Sequence, residues 1–120
     1  MAIYQCLLTD EEMIELDDLL NELTEVVVVI AEGDYDNIDD AQDVVDEVND
    51  LIQRAGELKS LLFNDLPVPG TLLDKLGEDL GLLAQLADIF HDLGISGTYR
   101  LKRRALHMID ILEDSCFEIN

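Results

Sequence analysis

Two segments of the chain combine a stripe of apolar residues with an opposite stripe of carboxylates. Between residues 38 and 62, apolar residues recur at alternating spacings of four and three, which is typical of an amphipathic helix. These residues are Val44, Val48, Leu51, Ala55, Leu58 and Leu62. Acidic residues follow the same spacing on the other side, with Arg54 at the one gap: Asp36, Asp40, Asp43, Glu47, Asp50 and Glu57. The pattern predicts a helix that buries one stripe and exposes a ladder of carboxylates.

The preceding segment, residues 9–32, repeats this pattern. Thr9 and Glu12 have the spacing of a capping box at its start, and Gly33 is the predicted residue after its end. Its apolar stripe is Met13, Leu16, Leu20, Leu23, Val27 and Ile30, and its acidic stripe is Glu11, Glu15, Asp18, Glu22 and Glu25. The β-branched run Val26–Ile30 is typical of a strand. Because the apolar stripe continues through it, we predict a helix, with a strand as the alternative.

Proline and glycine divide the rest of the chain into two further helices. Pro67 and Pro69 end the second helix near residue 63. A third helix is predicted over residues 71–93 and a fourth over 99–115. Four amphipathic helices joined by short turns predict an all-α fold, a small four-helix bundle that forms one domain over residues 1–120. Residues 2–8 are mostly apolar and form either a short N-terminal strand or an extended lead-in.

The third helix carries Gly77, Gly81 and Ala84 along one side. An interior glycine costs about 1 kcal/mol relative to alanine. Two glycines four residues apart therefore indicate close backbone packing, against a neighbouring helix or against a second copy of the chain. An ordinary core helix weakened by glycine is the alternative. These three residues are the candidates for homodimer contact.

The formal net charge is −21, and it is concentrated in the first half of the chain. Residues 1–58 contain 18 Asp or Glu and one Arg, whereas residues 59–120 contain 10 acidic and 6 basic residues. General adaptation to high salt would distribute the charge evenly. A field of this sign repels nucleic acid and anionic lipid and attracts a basic protein surface. We therefore expect a basic protein partner and no direct binding of nucleic acid or membrane.

The two cysteines, Cys6 and Cys116, lie near the two ends of the sequence. Two cysteines are too few for a disulfide framework. The first residues lack the basic segment of a signal peptide. We therefore predict reduced cysteines and a cytoplasmic location, in the host cytoplasm if the protein is viral. A bond between the two cysteines is the alternative.

A basic stripe marks the start of the fourth helix, with Arg100, Arg103, Arg104 and His107 on one side and Lys102 nearby. Basic residues in a first helical turn oppose the helix macrodipole, so another interaction should favour them. Pairing with the acidic helices inside the fold is the predicted explanation. Contact with a partner or a second copy is the alternative.

The sequence predicts no metal site, cofactor or catalytic residue, but one enzyme hypothesis remains. Glu11-Glu12 with Glu15, and Glu47 with Asp50, resemble the EExxE and ExxD magnesium motifs of all-α nucleoside triphosphate pyrophosphatases. The resemblance covers about 40 residues and implies a Mg-dependent pyrophosphohydrolase in which metal-bound water attacks a phosphoanhydride. The chain has no Lys or Arg between the two motifs, so no basic residue there could contact a triphosphate.

The carboxylate ladders favour a binding function over an enzymatic one. Ladder residues rise about 5 Å per step along a helix, and phosphates of one DNA strand advance about 3.4 Å. A solvated helix face is the alternative, but like charges at i,i+4 cost about 0.2–0.5 kcal/mol per pair. The predicted protein is an acidic inhibitor that mimics DNA phosphates and blocks a basic, nucleic-acid-handling partner. It is either a phage-type antagonist of host defence or transcription, or an immunity protein or antitoxin for a nuclease. A structural or assembly subunit is a further alternative. The predicted partner-binding residues are Glu15, Asp18, Glu22, Glu25, Asp36, Asp40, Asp43, Glu47 and Asp50.

Overall fold

Four helices form the body of the molecule. The computed structural model describes residues 2–32, 39–92, 94–95 and 97–119. Within these ranges the helices are α1 (Asp10–Glu32), α2 (Asp39–Phe63), α3 (Gly70–Asp92) and α4 (Thr98–Ser115). The all-α prediction is confirmed, and each boundary lies within one residue of the predicted one. Val26–Ile30 is helical, with Ile30 buried, Val26 and Val27 partly buried and Val28 and Val29 exposed, as the period of an amphipathic helix requires. The turn and helix end predicted at residues 33–37 lie outside the described residues.

The first helix begins with the predicted capping box. The Thr9 N–H donates to Glu12 Oε1 at 2.9 Å, and the Glu12 N–H donates to Thr9 Oγ1 at 3.2 Å. Two N–H groups that lie outside the helical hydrogen-bond ladder are thereby satisfied. This local chemistry sets the first turn of α1 and hence the positions of all carboxylates along it.

The connection between α3 and α4 requires glycine at two positions. Gly94 has φ 82° and Gly97 has φ 80°, a left-handed conformation that side chains disfavour. The Gly94 N–H donates to the His91 carbonyl at 2.9 Å, and the Ile95 N–H donates to the Phe90 carbonyl at 3.0 Å. This is the Schellman pattern of a helix C-terminus. It turns the chain sharply, so that α4 packs back on α3.

The helices enclose a single cluster of buried apolar side chains. Helix α1 packs against α2 and α4, and α3 packs against the same two helices. In α2 the middle of the predicted stripe is buried (Val48, Leu51, Ala55 and Leu58), while Val44 and Leu62 at its ends are half-buried. In α1 the predicted Leu16, Leu23 and Ile30 are buried, whereas Met13, Leu20 and Val27 are only half-buried; Leu19, which was not predicted, is fully buried. None of the helices in the described part of the chain has the length and apolar composition that crossing a membrane requires.

The two ends of the chain and the α2–α3 connector form a small antiparallel sheet. Its strands are β1 (Ile3–Cys6), β2 (Val68–Pro69) and β3 (Cys116–Ile119), in the order β2-β1-β3. The N-terminal strand alternative is therefore correct. The C-terminal strand was not predicted from the sequence, which indicated only a short tail there. Pro69 lies in an edge strand, where the missing N–H removes no hydrogen bond from the sheet centre.

A disulfide joins the central strand β1 to the edge strand β3. Cys6 and Cys116 lie directly opposite each other in the β1–β3 register, with their Cα atoms 4.0 Å apart and their sulfur atoms bonded. The prediction of reduced cysteines is therefore wrong. The sequence did not indicate the bond because the two cysteines are 110 positions apart and become neighbours only when the sheet forms. Disulfides persist mainly in oxidising compartments, so the cysteines no longer favour the cytoplasm.

The glycines of α3 differ sharply in their surroundings. The Gly70 N–H donates to the Ala2 carbonyl oxygen at 2.9 Å, and a Cβ on Gly70 would lie 2.9 Å from that same oxygen. A Cβ on Gly77 or Gly81 would have no contacting atom within 4 Å, apart from the neighbouring backbone of its own helix. These two glycines therefore do not mark close packing between helices in the described chain. Ala84 is buried, and homodimer contact through this side of α3 stays a prediction.

Candidate functional site

The acidic side of α1 is held against α4 by one arginine. Arg104 is largely buried, with 24% of its side chain exposed, and its Nε donates to Glu22 Oε1 at 3.0 Å. Its Nη1 lies 3.6 Å from Glu15 Oε2 and 3.6 Å from Asp18 Oδ2. Three of the predicted partner-binding carboxylates thus converge on a single cation inside the fold. Their immediate role is to bind α1 to α4.

Other ion pairs confirm the predicted role of the basic stripe. Arg100 Nη1 lies 3.8 Å from Glu22 Oε1, and Lys102 Nζ lies 3.2 Å from Asp88 Oδ1 on α3. Arg103 and His107 are exposed and form no ion pair among the described residues. Three members of the stripe therefore pair with carboxylates of α1 and α3, and within the described ranges the other two do not.

The ladder of α2 has a different environment from that of α1. Asp43, Glu47 and Asp50 are all exposed, and none of them forms an ion pair within the described ranges. Along the helix they span about 10 Å. Asp40 belongs to α2, but its side chain is outside the described part, as is all of Asp36. The described ladder is therefore a row of three carboxylates with no cation of the protein bound to them.

Arg54 interrupts the ladder and faces the neighbouring helix. Its Nη1 donates to Asp79 Oδ2 on α3 at 2.5 Å. This hydrogen bond raises the pKa of Arg54 above its usual value, against the opposing effect of desolvation. The charges of Asp79, Asp50 and Glu78 raise the pKa further. The arginine is thus permanently cationic, and its hydrogen bond joins α2 to α3.

Glu25 completes the predicted set on α1. It is exposed and has no ion pair among the residues that the structure describes. It lies one turn beyond Glu22, at the edge of a groove between α1 and the α3–α4 connection. Sequence reasoning placed Glu25 with the other carboxylates of α1, but it did not separate it from the three that bind Arg104. The spacing of Arg100 and Arg104, four residues apart on one helical face, was the available signal.

The two motifs of the pyrophosphatase resemblance lie at different levels of the bundle. Lys59 of α2 forms an ion pair with Asp17 of α1, so these two residues lie at the same level of the bundle. Glu47 lies about 18 Å from Lys59 along α2, whereas Glu15 lies beside Asp17. Across residues 2–32, 39–92, 94–95 and 97–119, no group of three or more His, Cys, Asp or Glu side chains has the arrangement of a metal site.

No protein-family model, curated protein or solved structure matches this chain. The candidate function therefore depends on the placement of its own residues.

Proposed function

We propose that this protein binds and blocks a basic, nucleic-acid-handling protein through the acidic face of α2. Asp43, Glu47 and Asp50 form the described part of the contact surface. Asp36 and Asp40 precede them at the same spacing in the sequence and extend the proposed ladder. The ladder occupies the partner's positively charged groove in place of phosphates.

One observation carries this proposal. Of the seven Lys and Arg side chains of the protein, six form ion pairs with carboxylates of α1 or α3. None of these ion pairs includes Asp43, Glu47 or Asp50. The fold thus places its ion pairs elsewhere, and the repulsion among these three carboxylates is relieved only in part, by the charge of Arg54 one turn from Asp50. Such repulsion costs stability, and a cationic partner surface would relieve it.

The physical consequence of the ladder is fast and selective association. Complementary surface charge steers diffusional encounter and raises the association rate, with a strong dependence on ionic strength. It also disfavours partners whose surface is acidic. Exposed carboxylates near the rim of the contact should act mainly on the association rate. Any carboxylate that loses its water in the complex should act mainly on dissociation.

The carboxylates of α1 have two roles in this proposal. Glu15, Asp18 and Glu22 are bound to Arg104 and support the packing of α4. They also contribute to the negative field of the contact surface. Glu25 is exposed and adds a separate point of attachment for the partner.

Two biological settings use this chemistry. A phage-type antagonist would block a host defence or transcription protein, and an immunity protein or antitoxin would cap a nuclease. A nucleic-acid-handling partner places the proposed action in the cytoplasm, that of the host if the protein is viral. The ladder on α2 is not part of the sheet that contains the disulfide, so partner binding is expected with the cysteines oxidised or reduced.

The proposal is tested by neutralising the ladder without changing the core. The variant carries Asp43→Asn, Glu47→Gln and Asp50→Asn. Wild-type and variant proteins are immobilised, exposed to lysate at low salt, and washed with increasing salt or with duplex DNA. The expected result is a partner that wild type retains, that duplex DNA releases, and that the variant binds at least fivefold more weakly.

A matched control removes the same number of charges from α4. Asp110→Asn, Glu113→Gln and Asp114→Asn are exposed positions and leave the net charge equal to that of the ladder variant. This control should retain the partner, because its altered residues lie outside the ladder. Equal binding by wild type and the ladder variant across the salt series would overturn the proposal. Equal loss in both variants would show that net charge, not the ladder, determines binding.

A further inference from the structure

A groove of about 570 Å³ lies between the C-terminal half of α1 and the α3–α4 connection. It contains Glu25, an exposed carboxylate of α1 that forms no ion pair among the described residues. Its lining combines apolar side chains, here called its floor, with charged ones. The residues that matter for its chemistry are Glu22, Glu25, Val26, Val29, Arg100 and Leu101.

The apolar floor of this groove is open to solvent. Val29 is 44% exposed, Val26 is half-buried, and Leu101 is a buried residue of the core. Valines that are still partly exposed in a groove favour a ligand with an aliphatic part, since its burial removes apolar surface from water. The two carboxylates beside the floor give the groove a second, polar part.

The carboxylates of the groove have unused acceptor capacity. Glu22 Oε1 accepts the hydrogen bond from Arg104 Nε, but Glu22 Oε2 is buried and has no hydrogen-bond partner. A buried acceptor without a donor is unfavourable. The terminal torsion of a glutamate is broad, so this carboxylate can turn toward a donor that enters the groove. Glu25 supplies a second, exposed carboxylate one turn away.

Arg100 currently supplies a weak cationic contact to the same carboxylate. Its side chain is 69% exposed, and its Nη1 is 3.8 Å from Glu22 Oε1, which is longer than a hydrogen bond. The arginine therefore lies at the groove without satisfying the acceptors within it. A cationic ligand would compete with Arg100, whereas an anionic ligand would need it.

We propose that this groove binds a lysine or arginine side chain of the basic partner. The aliphatic stem lies on Val26, Val29 and Leu101, and the charged head donates to Glu22 and Glu25. Long basic side chains combine these two properties, an apolar stem and a polar end. This inference rests on the proposed function, because it is the basic partner that supplies the side chain. It adds a specific pocket to the electrostatic surface of α2.

The groove is tested with small probes, so that the result does not depend on the partner. Isotope-labelled protein is titrated with n-butylguanidinium and n-butylamine, and the amide resonances of Glu25, Gly94 and Gly97 are followed by NMR. Sodium chloride at the same ionic strength corrects for screening, and butyrate tests for an anion site. We expect saturable shifts for both cations in roughly the millimolar range, which suits ligands of this size. Shortening the alkyl chain should weaken binding by about fourfold per buried methylene.

Three single variants give the proposal a directional test. Glu25→Gln should weaken binding of n-butylguanidinium about two- to fivefold, the effect of an exposed charge pair. Arg100→Ala should strengthen it, because the competing cation is removed. Glu11→Gln, an exposed carboxylate in the first turn of α1, should leave it unchanged. The variant Asp43→Asn with Glu47→Gln and Asp50→Asn should still bind the probe, which separates this site from the ladder.

The outcomes distinguish the possible occupants. Shifts no larger than those from sodium chloride would overturn the proposal, as would preferential binding of butyrate or weaker cation binding in Arg100→Ala. Binding of the probe without any partner for the ladder would support the groove and contradict only the proposed function. Partner binding that neither Glu25→Gln nor the probe affects would contradict the groove as its docking site.

Discussion

Removing the disulfide should cost a large fraction of the stability of this fold. The bond between Cys6 and Cys116 links residues 110 positions apart, so it closes almost the entire chain into one loop. In the chain-entropy model, a loop of this length restricts the unfolded ensemble by about 5 kcal/mol. Measured losses for native disulfides are about 2–5 kcal/mol. Since small domains are stable by about 5–15 kcal/mol in total, the effect should be easily measured.

The perturbation is applied in two independent ways. Wild type is unfolded in guanidinium chloride with and without dithiothreitol, and the variant Cys6→Ser with Cys116→Ser is unfolded under the same conditions. Far-ultraviolet circular dichroism follows the helices. We expect the reductant to lower the free energy of unfolding of wild type by about 2–5 kcal/mol. The denaturant slope should rise, because an open chain exposes more surface when it unfolds.

The double serine variant is the control for side effects of the reductant. It should unfold at the same midpoint in both buffers, close to the midpoint of reduced wild type. Titration of thiols in the native, unreduced protein should find none. Two reactive thiols in that protein, or unfolding midpoints of wild type that do not differ between the buffers, would refute the disulfide as a stabilising link.

Two further pairs of substitutions test the packing and charge of the fold by thermal or chemical unfolding. Gly70→Ala should lower the free energy of unfolding by about 1–3 kcal/mol, because the new Cβ would lie 2.9 Å from the Ala2 carbonyl oxygen. Gly77→Ala has open space around its Cβ and should instead raise the free energy of unfolding by about 0.5–1 kcal/mol. Equal effects of the two substitutions would show that the contact between Gly70 and Ala2 is not formed. Arg104→Met should lower the free energy of unfolding by about 1–2 kcal/mol, since three partly exposed carboxylates lose their shared cation. Arg103→Met, at an exposed position, should change it by less than about 0.5 kcal/mol. A similar loss in both variants would contradict the role of Arg104.

Local patterns were sufficient to predict the helices, because each is determined by neighbours in sequence. The α2 stripe at spacings of four and three produced the buried Val48, Leu51 and Leu58. The capping box predicted the start of α1 from Thr9 and Glu12 alone. Even the β-branched run in α1 was correctly predicted as helix, since periodicity over six turns outweighed the residue preferences.

Non-local pairing was beyond the reach of such patterns. The strand Cys116–Ile119 has four residues, and its partner strand begins at Ile3. Neither segment is long enough to show a period, and strand preference depends strongly on the neighbours that a segment meets in the fold. The disulfide follows from this pairing, because the register places Cys6 opposite Cys116. For the same reason, the number of cysteines does not support the predicted cytoplasmic location.

The two acidic ladders show why a charge pattern on one helix does not determine its function. In sequence, the carboxylates of α1 and α2 repeat at the same spacings and differ in nothing that predicts their environments. In the bundle, α1 lies beside α4, which carries most of the basic residues, whereas α2 lies beside α1 and α3. Arg104 therefore converts the first ladder into an internal contact, and no cation does so for Asp43, Glu47 and Asp50. A surface ladder of like charge is most informative about binding where the fold itself leaves it without ion pairs, as it does in the described chain for Asp43, Glu47 and Asp50 of α2 and, at the groove, for Glu25.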